Sequence, residues 1–208
     1  MSACESCGGV GIIQIPLSIA APSGSLYRYL NCKCQTDEQI CKKARIPARY
    51  AQAHYREFGQ FVSRPGRVPS ALLMGPPGRG KTWYACGLLK TYSRDMEYGG
   101  LFVDLQDLEQ KRRAAVGRND RLPGDEYILC PFLVADDLGR NERTTDFWLE
   151  WLTSLICGRY NLELPTVFTS NFSIDELTGK LGAHLAGRVK EMTAPNHRQL
   201  TNKDWRNL

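Results

Sequence analysis

The segment that most constrains the fold of this chain is residues 75–82, which match the phosphate-loop pattern G-x-x-x-x-G-K-[ST] at every required position. An apolar run, 71–74, precedes it and predicts a short buried strand, and residues 82–92 predict a helix. In such a unit the glycines let backbone N–H groups turn toward phosphate oxygens, and the helix N-terminus adds partial positive charge. The segment therefore predicts a nucleotide site, and an ordinary glycine-rich turn is the less favoured alternative.

Polar residues inside and beyond this loop complete the predicted site. Lys81 is expected to reach the β- and γ-phosphates of ATP, and Thr82 to place its hydroxyl on Mg²⁺. An apolar strand ends in Asp136, which suits the Mg²⁺-holding role, and Asp137, which suits polarisation of water. Asn171 ends another apolar strand and is expected to orient the attacking water or sense the γ-phosphate, although acidic pairs and Asn also occur in ordinary turns. The predicted cofactor-binding residues are Gly75, Pro76, Pro77, Gly78, Arg79, Gly80, Lys81, Thr82 and Asp136.

Strands and helices alternate after residue 70. The apolar patterns predict strands near 71–75, 100–104, 130–136, 164–170 and 197–201, and helices near 80–93, 105–116, 144–158, 173–181 and 183–192. Ser173 and Glu176 form a predicted capping box at the start of one helix. This alternation predicts an α/β fold, with a parallel sheet covered by helices on both faces. The expected organisation is a zinc-binding module (1–45), a short helical connector (46–70) and an ATPase domain (71–208).

Five of the eight cysteines fall in the first 41 residues. The pairs Cys4/Cys7 and Cys32/Cys34 together offer four thiolates to a tetrahedral Zn²⁺, which would contribute much of the folding free energy of so short a segment. The second pair has one intervening residue instead of the usual two. Cys41 therefore stays open as a substitute ligand, and a flexible arm with reduced cysteines is the alternative. The other three cysteines lie in apolar segments and are expected in the core: Cys86, Cys130 and Cys157.

The net charge of +5 is concentrated at one end of the chain. Residues 1–70 hold nine Lys and Arg against four Asp and Glu, whereas the remainder is balanced. This is compatible with nucleic-acid binding, but a solvated surface is the commoner explanation. No run of 18 apolar residues exists, and the N-terminus has neither the basic nor the apolar stretch of a signal peptide. We therefore expect a cytoplasmic protein that does not span a membrane.

Taken together, several segments resemble the AAA+ ATPases of the DnaC/DnaI helicase-loader and IstB-like group. They are Cys4-Glu-Ser-Cys7-Gly, Cys32-Lys-Cys34, 44–50, the phosphate loop, Asp136-Asp137-Leu-Gly139, Arg159-Tyr160, Thr169-Ser-Asn171 and Arg188. The resemblance covers nearly the whole chain. It implies a sheet order of 5-1-4-3-2, with Asn171 as the sensor-1 residue. Because the chain stops at Leu208, soon after the last predicted strand, it also implies that the helical lid domain is lacking.

Arg188 resembles the arginine finger that reaches the ATP of a neighbouring subunit, where it would make hydrolysis depend on assembly. A surface arginine is the alternative. His184 stands where many relatives carry a second arginine, and Asp137 stands where other AAA+ members often have Glu. The shorter acidic side chain implies slow hydrolysis, stimulated by assembly or by DNA. Arg206 is expected to act on the phosphates from the C-terminal edge.

A basic cluster follows the second predicted strand and consists of Lys111, Arg112, Arg113, Arg118 and Arg121. In the family this region lies near the path of single-stranded DNA, where such residues give salt-dependent phosphate contacts. A solvated helix face is equally favoured. Trp148 and Trp151, three residues apart in an apolar helix, are expected in the core rather than against bases.

Three candidate functions follow, two of them from the resemblance and the third from a different class of protein. The first is an ATPase that loads a replicative hexameric DNA helicase onto single-stranded DNA, with Arg188 joining copies of the chain into a homo-oligomer and the zinc module docking on the helicase. The second is an IstB-like ATPase that assists a transposase on duplex DNA. The third is an adaptor that binds ATP without hydrolysing it and uses the zinc module to dock on a protein.

Overall fold

The computed structural model describes residues 4–8, 12–16, 27–32, 34–54, 69–95, 99–117, 122–140 and 145–201. Most of the predicted connector, together with Arg118, Arg121 and Arg206, lies outside these described residues. Among the helices that are described, none is long and apolar enough to cross a membrane.

The strands, in chain order, are β1 (Ile12–Pro16), β2 (Tyr27–Asn31), β3 (Ala71–Met74), β4 (Leu101–Asp104), β5 (Leu133–Asp136), β6 (Thr166–Ser170) and β7 (His197–Gln199). The α-helices are α1 (Asp37–Lys43), α2 (Lys81–Asp95), α3 (Leu105–Ala115), α4 (Glu126–Leu129), α5 (Asp146–Asn161), α6 (Ile174–Leu181) and α7 (Ala183–Thr193). A 3-10 turn spans Ala48–Tyr50. Every strand and helix expected after residue 70 is therefore present.

The main sheet has five parallel strands in the order β4-β5-β6-β3-β7. If these five strands are numbered 1 to 5 in chain order, beginning with β3, the sheet order is 2-3-4-1-5. Read from the opposite edge of the sheet, this is the expected order 5-1-4-3-2. In the central pair, Leu72 lies opposite Phe168 and Met74 opposite Ser170. This register places the carboxyl end of β3, where the phosphate loop begins, beside the end of β6. The predicted fold class is confirmed.

Two cores form on the two faces of the sheet because side chains alternate along each strand. On β3, Leu72 and Met74 pack into the core that contains α5, α6 and α7. Ala71 and Leu73 face the other way, into a core shared with α1 and α2. Trp148 and Trp151 are buried in the first core with their rings stacked 4.9 Å apart, so the prediction that they are core residues is confirmed.

Helix α1 packs against α2 on the second face. Thr36 caps α1 in a capping box with Gln39. Asp37, in the first turn of α1, forms ion pairs with Lys90 and Arg94 of α2, and the Lys90 pair measures 2.7 Å. The helix that begins just after Cys34 is thereby joined to the helix that begins at the phosphate loop. The boundaries proposed for the three domains stay a prediction.

Helix α4 was not predicted, and it shortens the strand that follows. Residues 130–132 were expected in a strand, but β5 begins at Leu133 because Glu126–Leu129 is helical and Cys130 ends that turn. The guanidinium of Arg159 donates hydrogen bonds to the carbonyls of Tyr127 and Cys130, at 2.9 Å and 2.8 Å. A long-range contact from α5 therefore stabilises this helical turn. The predicted capping box of α6 is present, with Ser173 and Glu176 each accepting from the other's backbone N–H.

Candidate functional site

The phosphate loop connects β3 to α2 and depends on its first glycine. Gly75 has a φ of +138°, and a Cβ atom there would lie 2.4 Å from the carbonyl oxygen of Leu200. That contact exists because the Leu200 N–H donates to the carbonyl of Met74 at 2.8 Å. No side chain fits between the two strand ends, so the loop must begin with glycine.

The ammonium group of Lys81 lies at the centre of the loop. Lys81 is only 5% exposed, and its Nζ donates to the carbonyls of Gly75 at 2.7 Å and Pro76 at 2.9 Å. It also donates to Oδ1 of Asn171 at 2.7 Å. Two residues 90 positions apart, both predicted to act on the γ-phosphate, are therefore in direct contact.

Asp136 lies beside this loop and is buried. Thr169 donates its hydroxyl to Oδ1 of Asp136 at 2.6 Å, and the Thr82 hydroxyl also hydrogen-bonds to this carboxylate. Burial, aided by the charge of Asp137, raises the pKa of Asp136 to about 6, against the hydrogen bonds from Thr169 and Thr82, which lower it. A divalent cation would favour the ionised form. The two predicted Mg²⁺ ligands, Thr82 and Asp136, are in hydrogen-bonding contact.

Asp137 adopts the left-handed region, with φ +63°. Asp tolerates this conformation better than most residues do. Its backbone N–H donates to the Thr169 hydroxyl at 2.9 Å, and its carboxylate forms an ion pair with Arg140. The turn aims Asp137 into the same cavity as Lys81, but sequence reasoning missed the arginine that neutralises it. The available signal in the sequence was that Arg140 follows Asp137 by three residues, just after the end of a strand.

The cavity over the loop has a volume of about 720 Å³. Six of its lining residues were not predicted as site residues: Arg49, Tyr50, His54, Trp83, Tyr84 and Arg140. Arg49 and Tyr50 belong to residues 44–50, which contribute to the family resemblance, but the sequence pattern assigns neither of them a role in the site. The guanidinium of Arg49 lies 4.7 Å from the centre of the Tyr50 ring, and the His54 and Trp83 rings meet edge to face at 6.1 Å. A polar phosphate loop with an adjoining aromatic wall suits a nucleotide.

The four predicted zinc ligands converge on one point. The Sγ atoms of Cys4, Cys7, Cys32 and Cys34 all lie within 4.8 Å of one another, with Cys4–Cys32 at 3.8 Å and Cys7–Cys34 at 3.3 Å. Sulfurs about 3.8 Å apart are what a tetrahedral ion with Zn–S bonds of about 2.3 Å requires. A hydrogen bond with Cys7 raises the pKa of Cys34 to about 12, whereas the backbone N–H of Ser6 lowers the pKa of Cys4. Cys41 is not in the cluster, because its buried thiol points to the carbonyl of Ala51.

Comparisons with known proteins agree with this geometry. No protein-family model matches the chain. The replicative helicase loader DnaI of Bacillus subtilis is 25% identical over 152 residues, which are 71% of this chain and 48% of DnaI. The match thus spans about half the length of that curated relative. A crystal structure of the DnaC helicase loader is 26% identical, with a TM-score of 0.59, and covers 76% of this chain and 100% of that one. In sequence and in fold, the chain is thus similar to the DnaC/DnaI-like group of AAA+ proteins.

More distant structures show the same fold. A primosome component described as putative, from Streptococcus pyogenes serotype M3, is 20% identical with a TM-score of 0.62, and covers 81% of this chain and 100% of that one. AMPPCP-bound DnaA from Aquifex aeolicus is 15% identical with a TM-score of 0.55, and covers 66% of this chain and 42% of that one. The AAA+ fold of this DnaC/DnaI-like chain is therefore shared with proteins of very different sequence.

Arg188 of the DnaC/DnaI-like chain lies away from its own phosphate loop. It is on α7 and is not among the residues that line the nucleotide cavity. Its guanidinium stacks on Tyr160 and pairs with Glu191. The structure thus brings residues 77–82 together with Asp136, Asp137 and Asn171 around one cavity, but leaves Arg188 apart from them.

Part of the predicted basic cluster is buried in the core. Arg112 is buried, donates to the carbonyl of Pro123 and lies 5.0 Å from the Trp151 ring. Its side chain is unavailable to DNA because it packs under the loop that follows α3. Lys111 and Arg113 are exposed and form ion pairs within α3, with Asp107 and Glu109. Cys86 and Cys130 are buried as predicted, whereas Cys157 is half-buried.

Proposed function

We propose that this DnaC/DnaI-like protein is an ATP-dependent loader that places a replicative hexameric DNA helicase on single-stranded DNA. The observation that carries the proposal is the convergence of Lys81, Thr82, Asp136 and Asn171 at the ends of neighbouring strands in an AAA+ sheet. The relatives named as helicase loaders support the choice of partner.

The residues of the loop fit Mg-ATP. Lys81 holds two backbone carbonyls and the Asn171 amide, and phosphate oxygens would compete for the same ammonium donors. The backbone N–H groups of 75–82 and the N-terminus of α2 would receive the phosphates, and Thr82 and Asp136 would hold Mg²⁺. The aromatic wall at Tyr50 and Trp83 would cover the base. ATP binding would favour a state that grips DNA, and hydrolysis of the bound ATP would favour a state that releases it.

Hydrolysis would use the residues at the mouth of the cavity. Asn171 would orient the attacking water through its amide, and Asp137 would accept a hydrogen bond from that water. Asp137 must first loosen its ion pair with Arg140, which favours slow turnover. Arg188 would act from a neighbouring copy of the chain, so that assembly or DNA binding accelerates the reaction.

The cysteine cluster fits zinc in ligand type and in spacing. A bound Zn²⁺ would deprotonate the thiols and supply folding free energy. We assign residues 1–45 to a zinc module that docks on the helicase, 46–70 to a connector and 71–208 to the ATPase domain. Such a loader would act in the cytoplasm, on chromosomal or phage DNA.

The test is ATP-stimulated binding of a labelled single-stranded oligonucleotide, followed by fluorescence anisotropy at fixed salt. Lys81→Ala should weaken ATP binding by about 10- to 100-fold, the effect of losing charged hydrogen bonds, and should abolish the stimulation. Lys42→Ala removes the same charge from an exposed position on α1 and should behave like the unmodified protein.

Recovery of the helicase from a lysate of the host, with and without ATP, tests the partner. Stimulation that survives Lys81→Ala would contradict the mechanism. A preference for duplex DNA would instead favour the transposase-assisting function. Binding of ATP with no phosphate release, even with DNA and helicase present, would favour the adaptor.

A further inference from the structure

Three side chains on α5 and α7 form a closed group around Arg188. The Cζ atom of Arg188 lies 4.2 Å from the centre of the Tyr160 ring, in the last turn of α5. Nη1 of Arg188 is 3.8 Å from Oε2 of Glu191, one turn further along α7. Tyr160 also hydrogen-bonds to Glu191, which raises the pKa of the Tyr160 hydroxyl. Each member of the group therefore contacts the other two.

This arrangement holds the guanidinium while engaging only some of its five N–H donors. Stacking on an aromatic ring engages the flat face of the guanidinium, whereas its five N–H groups point outward in the plane. Glu191 reaches one nitrogen, at a distance longer than a normal hydrogen bond. The Tyr160 hydroxyl also hydrogen-bonds to the guanidinium. The N–H groups of Arg188 that neither Tyr160 nor Glu191 engages would make the contacts to phosphate oxygens.

The surface around these N–H groups is open. The Arg188 side chain is 35% exposed, and His184, one turn earlier on the same helix face, is exposed. Gly187, next to Arg188, is exposed, and a Cβ atom there would meet nothing within 4 Å. A bulky partner could therefore approach the guanidinium edge without displacing described parts of α7.

We propose that Tyr160 and Glu191 are positioning residues that hold the Arg188 guanidinium ready for the phosphates of a nucleotide bound by a second copy of this chain. The inference rests on the proposed function, because it requires ATP in the neighbouring site. Tyr160 would contribute most of the positioning, because its ring would set the plane of the guanidinium. Glu191 would limit rotation within that plane.

Subunit mixing tests the inference on the full chain. Lys81→Ala leaves a subunit that can only donate Arg188, and Arg188→Ala leaves one that can only bind ATP. Each variant alone should be inactive, and an equal mixture with single-stranded DNA should recover phosphate release. Changes at Tyr160 are then made only in the Lys81→Ala subunit, so they cannot alter the site where ATP is hydrolysed.

In this mixture Tyr160→Leu should lower kcat by about five- to tenfold, the change that loss of one cation–π contact produces, with the KM for ATP unchanged. Tyr160→Phe keeps the ring and should retain most of the activity. Glu191→Ala should lower kcat by about threefold, as expected for a solvent-exposed ion pair. Lys190→Ala, exposed on the same helix, is the matched control and should have no effect.

The outcomes separate the inference from the function on which it rests. A mixture of Lys81→Ala and Arg188→Ala that stays inactive would overturn assembly through Arg188 and the inference together. A mixture that works equally well with Tyr160 and with Tyr160→Leu would overturn the inference alone. If Tyr160→Leu melts at a lower temperature, its lower kcat could reflect lost stability, and the Glu191→Ala result is used instead. The Glu191 side chain is exposed and can be removed with little loss of stability, so an unchanged kcat in Glu191→Ala would then overturn the inference.

Discussion

The nucleotide site and the cysteine cluster are secured in different ways. Around the phosphate loop, β3 is buried on both faces, Lys81 is enclosed and Gly75 touches the end of a neighbouring strand. Around the cysteines, Cys32 is buried, Cys4 and Cys7 are half-buried and Cys34 is exposed, and the adjoining sheet consists of β1 and β2. Among the described residues, the first site is held by a packed core, whereas one of the four cysteines at the second site is buried.

Because of this difference, we expect the two sites to respond differently when a polar or metal-binding side chain is removed. A packed sheet keeps a loop in shape through many weak contacts, so loss of one polar group costs only part of the stability. A small cluster with little burial depends on one ion, because metal binding and folding are the same event. The two are joined by α1, which begins near Cys34 and pairs with α2 through Asp37.

The largest expected effect comes from removing the metal ligands. Changing Cys7→Ser together with Cys34→Ser should eliminate bound zinc and unfold the segment around β1 and β2. Structural zinc contributes about 10–16 kcal/mol to domains of this kind. The affinity for ATP should change less than about threefold, because the packed core does not need the metal. Zinc content by elemental analysis and ATP binding by calorimetry measure the two responses.

Cys157→Ser is the matched control, because that thiol is half-buried and outside the cluster. It should keep one zinc ion per chain. A fall in ATP affinity in proportion to lost zinc would contradict the separation of the two sites, and would show that α1 transmits unfolding into α2.

A smaller effect is expected from Arg159, which is 0% exposed in the packed region. Its donors reach the Thr166 hydroxyl at 2.7 Å and the Pro165 carbonyl at 2.8 Å, in addition to the carbonyls around α4. Arg159→Met fills similar space but leaves several buried carbonyls without donors, at a cost of about 4 kcal/mol in the free energy of unfolding. Denaturant titration measures the loss, and zinc content should not change.

Lys111→Met removes an exposed cation from α3 whose ion-pair partner, Asp107, is also exposed, and should cost less than about 0.5 kcal/mol. If Arg159→Met were equally mild, the buried guanidinium would not be what holds α4 against β6.

The smallest effect concerns pH and Asp136, measured without nucleotide or Mg²⁺. Its folded pKa of about 6 lies above the ordinary value of 3.8, so the folded state binds the proton more tightly. The resulting stability is complete below about pH 4 and is lost as pH rises through 6, a decline of about 3 kcal/mol. Asp136→Asn cannot ionise and should lack this decline. Denaturant midpoints from pH 4 to pH 8 provide the comparison.

The variant should therefore gain stability relative to the unmodified protein as pH rises, while losing Mg-ATP binding. A difference in stability that stays constant with pH would show that burial of this carboxylate does not penalise its charge.

Local patterns determined much of this molecule. The phosphate loop, the alternation of strands and helices, the capping box at Ser173 and the four clustered cysteines were all predicted, because each depends on residues a few positions apart. Sheet order was also predicted, but from the family resemblance and not from periodicity.

Only the tertiary structure decided the contacts between distant residues. It joined Lys81 to Asn171, buried Arg112 under Trp151, folded α4 beneath Arg159 and stacked Arg188 on Tyr160. A sequence pattern records whether a position prefers to be buried or helical. It does not record which partner lies across the core, because that depends on how all the elements pack at once.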